Sequence, residues 1–144
     1  MQIGVETSKA VDQRRVFVID EDEITRTALQ FMLHDEIETH ELATPEEAYE
    51  KGTDWLKPDV LLLGAKFLTD RGAGLVGELT SKFQGVRILI VYDKADEEAA
   101  LAGLKAGAHG ALSKPLTLEA VRKKVDTVLG RDGGETLVQL GFMN

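Results

Sequence analysis

Alternation constrains this chain more than any other feature. Val16-Phe17-Val18-Ile19, Val60-Leu61-Leu62-Leu63 and most of 86–92 are short apolar runs, with segments of helical period between them. A run of four to seven β-branched and aliphatic residues suits a strand buried on both faces. Weaker strands are expected where Ile37, Thr39 and Glu41 alternate with polar neighbours and at Ala111-Leu112-Ser113. Helical spacing is expected after the first run, where Ile24, Ala28, Phe31 and Met32 recur and Leu29 and Leu33 widen the stripe. Thr44-Pro45-Glu46-Glu47 opens a second helix with a capping hydroxyl, a first-turn proline and a glutamate three residues after the cap. Gly52 and Pro58 end it, and the glycine-bearing stretch 64–73 reads as a loop before a helix near 74–83. Two more helices are expected, near 96–106 with Gly107 as a left-handed stop, and over 116–129 with Val121, Val125, Val128 and Leu129 on one face.

Five strands alternating with five helices predict a parallel sheet covered on both sides, a three-layer α/β domain. A length of 144 residues fits a single core. Residues 1–13 read as a mobile tail, 14–130 as the domain, and 131–144 as an extension or the start of a linker. In that extension Leu137, Val138, Leu140 and Phe142 are too apolar for an idle tail. Folding back, pairing with another subunit and leading into a further domain all remain open. A net charge of −8 argues against non-specific binding to nucleic acid or to an anionic membrane. No cysteine is present for disulfides, thiolate zinc sites or thiol nucleophiles. With no apolar run near the length of a membrane helix, a soluble, cytoplasmic protein is expected.

Ligands of open parallel sheets bind beyond the carboxyl ends of the strands. There the chain places Asp20 and Glu21 after the first strand, Gly64 at the end of the third, Tyr92 and Asp93 after the fourth, and Lys114-Pro115 after the fifth. Two adjacent acids could hold a hard divalent cation; equally, Asp20 to Glu23 could simply favour a helix start. His34, His40 and His109 lack metal-ligand spacing and read as surface or loop residues, and Trp55 reads as core or rim.

The segments Val-Ile-Asp-Glu-Asp-Glu (18–23), Pro-Asp-Val-Leu-Leu-Leu-Gly (58–64) and Ala-Gly-Ala-His-Gly-Ala-Leu-Ser-Lys-Pro (106–115) carry a resemblance. Over about 14–130 the chain resembles the response regulator receiver domain of bacterial two-component signalling. The resemblance implies a flavodoxin-like (βα)5 fold with strand order 2-1-3-4-5. It also implies an acidic pair at Asp20 and Glu21, a phosphoryl-binding lysine at Lys114, a cis proline at Pro115 and a loop-closing glycine at Gly72. The position of the family's phosphoacceptor aspartate, however, holds Gly64; its hydroxyl position holds Tyr92, and its switch aromatic is Ala111. Asp59 lies at the wrong end of the third strand, and Asp70 lies beyond it.

Glycine offers no carboxylate nucleophile, so the resemblance points to a degenerate receiver without phosphoryl transfer. Mg²⁺ would be held weakly at best by Asp20 and Glu21, and no cofactor is expected. Lys114, or less readily the loop lysine Lys66, could answer the acids' charge. Tyr92 either fills the space used by the family's switch or lies over the pocket as plain packing. Partners would be signalling proteins docking on the helix 4–strand 5–helix 5 face, near 96–106, 111–113 and 116–129, with homodimerisation left open. The alternatives are a receiver that accepts phosphate on another carboxylate, such as Asp20 or Asp22, and a small-ligand-binding domain that uses the space above Gly64.

Overall fold

The computed structural model describes residues 12–131. Its five strands are β1 (Asp12–Ile19), β2 (Ile37–Leu42), β3 (Val60–Gly64), β4 (Arg87–Tyr92) and β5 (Gly110–Ser113). They form one parallel sheet in the order β2-β1-β3-β4-β5, as expected. Six α-helices surround it: α1 (Glu23–Leu33), α2 (Pro45–Lys51), α3 (Ala65–Arg71), α4 (Gly74–Lys82), α5 (Glu97–Lys105) and α6 (Leu118–Leu129). The fold is the flavodoxin-like α/β arrangement of receivers. No helix among the described residues is long and apolar enough to cross a membrane.

The strand period of two divides the core. Phe17, Ile19, Leu61, Leu63, Ile88 and Ile90 face a layer built from α2, α3, α4 and α5. Val16, Val18, Val60, Leu62, Leu89 and Val91 face α1 and α6. Pairing of Gly64 with Val91 and of Tyr92 with Ser113 brings the carboxyl ends of the central strands to one rim. At the opposite rim Asp59 accepts a hydrogen bond from the Arg15 amide at 2.8 Å, which confirms that it lies away from that edge.

Local signals act as expected at several ends. Thr44 Oγ1 accepts from the Glu47 amide at 3.1 Å, and Glu47 reaches back to the Ala43 amide at 2.8 Å, closing a capping box one residue wider than usual. Gly107, at φ 119°, turns the chain after α5 in a conformation that side-chain-bearing residues rarely adopt. The Lys114–Pro115 peptide is cis.

Four expectations need correction. The mobile tail was drawn too long, because β1 begins at Asp12. The expected loop 64–73 is instead mostly helix α3, held down by buried Ala65, Phe67 and Leu68, with Gly72 ending it at φ 94°. On α1 the core-facing residues are Thr25, Leu29 and Leu33, whereas Ile24 and Phe31 are 79% and 75% exposed. Trp55 is not core; it stands in a short 3-10 turn ahead of β3 and is exposed. Residues 1–11 and 132–144 of the expected tail and extension lie outside the described residues.

His109 has a structural task. Its Nδ1 accepts from the Ile88 amide at 3.0 Å, while its own amide donates to the Ile88 carbonyl at 2.8 Å. Only the unprotonated Nδ1 can accept, and burial, helped by the charge of Arg87, holds the imidazole below its ordinary pKa. A histidine pKa lowered by folding stabilises the native state above about pH 6.5 and loses that contribution as pH falls. The stability gap between the native chain and His109→Ala is therefore expected to narrow between pH 7.5 and 5.5 in urea titrations. A gap that widens on acidification would refute this role.

Candidate functional site

At the carboxyl rim, Asp20, Glu21, Gly64, Tyr92 and Lys114 all line one cavity of about 150 Å³. The sheet register thus assembles all five residues that were expected to form the pocket. Asp22, Ala65, Lys66, Phe67, Val91, Asp93 and Asp96 complete the wall.

Asp20 sits at its floor and is only 7% exposed. Its amide donates to the Leu42 carbonyl at 3.1 Å, and its carbonyl accepts from Arg26 at 2.7 Å. Its Oδ1 accepts from the Asp22 amide at 2.9 Å. Burial is the main influence on this carboxyl and raises its pKa. The Asp22 amide and the charge of Lys114 oppose that rise, while the charges of Asp22 and Glu21 add to it.

Gly64 is not required by its backbone, since φ −65° and ψ 130° suit any residue. What it supplies is space. A Cβ built on Gly64 would lie 2.5 Å from Asp20 Oδ2 and 2.8 Å from Asp20 Cγ. The Asp20 carboxylate therefore lies in the volume that a side chain at 64 would occupy. The position left empty by glycine is filled from the neighbouring strand.

Lys114 reaches across the rim to α1. Its Nζ donates to Thr25 Oγ1 at 3.1 Å, and that hydroxyl donates to Asp22 Oδ2 at 2.8 Å. Asp22 also caps α1 by accepting from the Ile24 amide at 3.1 Å, and these two bonds, the Thr25 bond foremost, lower its pKa. Thr25 was missed in the sequence, where a lone threonine in a helix carries no signal. Its importance follows from facing Lys114, 89 positions away.

Neither lysine bridges Asp20 and Glu21. Lys114 acts on Asp20 only through its field, and Lys66 is exposed on α3, 3.6 Å from Asp70. Glu21 is exposed at the mouth. Asp96 accepts from Thr69 at 2.8 Å, and Asp93 caps Ala95 at 3.1 Å, so both acids on the far wall are engaged. The Tyr92 ring is half-buried and packs with Ala111 against the core layer beneath α5. It also borders a second recess, shared with Lys94, Glu97, Ser113 and Lys114.

Receivers imply a Mg²⁺ ion at this rim. Asp20 and Glu21 supply its acidic pair, but Asp20 turns toward Gly64 and is mainly buried. Among the described residues no three His, Cys, Asp or Glu side chains are grouped to hold a metal ion. The donor set does not fit a tightly held cation.

A family model described as the response regulator receiver domain matches residues 16–126. The transcriptional regulatory protein LnrK of Bacillus subtilis (strain 168) is 28% identical over 126 residues, covering 85% of this chain. The chain spans only 56% of the length of that relative. Among solved structures, a response regulator from Thermotoga maritima superposes with a TM-score of 0.72 at 21% identity, covering 83% of this chain and 99% of that one. A two-component response regulator from Clostridium difficile gives 0.71 at 24% identity, covering 84% and 99%. At these identities the structural likeness establishes the fold alone.

Proposed function

The chain belongs to the response regulator receiver domain family, and on that premise we propose that it is a degenerate receiver, a protein-interaction module that signals without being phosphorylated. It performs no chemistry of its own. The observation that carries this reading is the Asp20 carboxylate lying where a side chain of residue 64 would be. An acyl phosphate needs a carboxylate nucleophile on the third strand, and this chain offers Gly64. The substitute carboxylate from β1 is buried, its pKa is raised, and it would meet a donor from another direction. Among the described residues no group of acids or histidines is placed to hold a metal ion, so a bound cation would do little to neutralise the charge developing on a transferring phosphoryl group.

Tyr92 supports the same reading. In a switching receiver a small hydroxyl moves and an aromatic follows it. Here the large residue stands at the end of β4 and the small one, Ala111, on β5, and both pack against the same core layer. The face formed by α5, β5 and α6 is held in one state, and it is the proposed docking surface for other signalling proteins in a bacterial cytoplasm. Nucleic acid and membrane are not direct partners of a domain this acidic.

The test is intact mass after incubation with Mg²⁺ and a small-molecule phosphodonor. The native chain is expected to gain no phosphoryl group. An adduct would refute the reading, and peptide mapping would then show whether Asp20 or Asp22 accepted it.

A further inference from the structure

A second cavity, of about 310 Å³, is lined by Tyr49, Gly52, Thr53, Lys57, Lys82 and Phe83. Helix α2 supplies Tyr49, the turn leading into β3 supplies residues 52–57, and the end of α4 supplies Lys82 and Phe83. Because β3 starts at Val60 and β4 at Arg87, these segments meet where the strands begin, at the opposite rim from Gly64. The floor is aromatic. Phe83 is buried, and its ring centroid lies 6.0 Å from that of Tyr49. Gly52 lets the Phe83 ring press on the backbone, since a Cβ there would fall 2.6 Å from Phe83 Cε1. Tyr49 donates its hydroxyl proton to Glu78 at 2.6 Å, which orients the phenol.

The walls are cationic. Lys82 Nζ stands 5.2 Å from the centroid of the Tyr49 ring, and Lys57 is exposed on the turn. That turn is firmly held: Arg15 donates to the carbonyls of Trp55 and Lys57 at 3.0 and 3.1 Å, and the Leu56 amide donates to the Thr53 carbonyl at 2.9 Å. Among the described residues the lysine in an ion pair is Lys66, so Lys57 and Lys82 have no acidic partner. No carboxylate is among the six lining residues. Trp55 stands in the same turn, two residues from both Thr53 and Lys57, and is 78% exposed. Two residues span at most about 7 Å, which puts Trp55 at the edge of the cavity. The other exposed large apolar residues, Ile24, Phe31, Leu101 and Leu118, lie on α1, α5 and α6, which contribute nothing to it.

We infer that this cavity and Trp55 form a docking site for an acidic segment of a partner protein, one that carries an apolar side chain between carboxylates. Charge complementarity sets the sign. In a chain of net charge −8, two unpaired ammonium groups at one cavity attract a negative partner that the rest of the surface repels. The aromatic floor receives the apolar side chain. Trp55 favours a protein over a small anion, because a ligand that only fills the cavity leaves this ring outside, whereas a segment crossing the turn covers it. Covered tryptophan and tyrosine rings carry much of the binding energy in such contacts. The site shares no residue with the Gly64 cavity or with the α5–β5–α6 face, so it stands whether or not the chain accepts a phosphoryl group.

Trp55 is the chain's single tryptophan, so its fluorescence reports on this turn directly. The probe is a capped peptide, a phenylalanine flanked on each side by two glutamates, titrated into the full chain beside the same peptide with glutamines. The glutamate peptide is expected to shift the Trp55 emission saturably, with a Kd below about 1 mM. It should bind at least about fivefold more tightly than the glutamine peptide, and added salt should narrow that gap. Lys57→Gln with Lys82→Gln, both at exposed positions where folding tolerates the change, should erase it. The absence of a saturable shift, equal affinity for the two peptides, or an undiminished gap in the double variant would each overturn the inference. So would a Trp55 emission that shifts with protein concentration alone, since a second copy would then be the occupant.

Discussion

Gly64→Ala is expected to destabilise the domain, and Gly64→Asp to do so further, although the backbone there suits either residue. Removing a glycine at a compatible site normally stabilises by about 0.4–1 kcal/mol through the unfolded chain. Against that gain stands a Cβ placed 2.5 Å from Asp20 Oδ2, a distance no real contact adopts. Asp20 would have to leave its bond with the Asp22 amide, and overpacking of this kind costs about 1–3 kcal/mol. Overpacking therefore wins for alanine. Aspartate adds a second carboxylate beside a buried one, and two like charges at that distance cannot both ionise comfortably. In Gly64→Asp the carboxyl pKa values rise on folding, so its deficit grows as pH rises above the carboxylate range and shrinks on acidification. Asp20→Ala in the same chain should relieve most of the loss. Urea unfolding of the four proteins at two pH values checks this, and a Gly64→Asp variant as stable as the native chain would contradict the collapsed pocket.

Phe17→Ala is expected to produce the largest loss of any single change considered. The ring is fully buried on the interior strand β1 and meets Phe83 and His40 edge-on, with centroids 6.2 and 5.7 Å apart. Truncating such a residue to alanine costs about 3–5 kcal/mol, a large share of the roughly 5–15 kcal/mol that holds a domain together. Phe17→Leu should lose far less. Denaturant midpoints give both values, and a loss under about 1 kcal/mol for alanine would mean that the layer can collapse around the gap.

The sheet was readable because β1, β3 and β4 carry continuous runs buried on both faces. Val60-Leu61-Leu62-Leu63 and the runs like it, alternating with segments of helical period, suit a covered parallel sheet. The convergence of Asp20, Gly64, Tyr92 and Lys114 was readable for a related reason, since strand ends of a parallel sheet share a rim. Other features depended on contacts that only the folded chain makes. Helix α3 was hidden because seven residues give little periodicity and the glycines around them read as loop. Ile24 and Phe31 match the helical period as well as Leu29 and Leu33 do, and only the position of the sheet decides which stripe goes inward. The placement of Asp20 over Gly64 joins residues 44 positions apart and leaves no trace in the local pattern of either. Lys114 meeting Thr25 rather than an acid is equally a matter of placement.

The division of the apolar interior by the sheet has a consequence for how mutations combine. Phe17 and Val18 are chain neighbours, yet their side chains belong to opposite layers that share only the backbone between them. Truncations on opposite sides should therefore sum, with interaction energies within about 0.5 kcal/mol, whereas pairs within one layer, such as Phe17 with Phe83, should not. Energetically the domain behaves as two half-cores back to back, and substitutions accumulating in one need no compensation in the other.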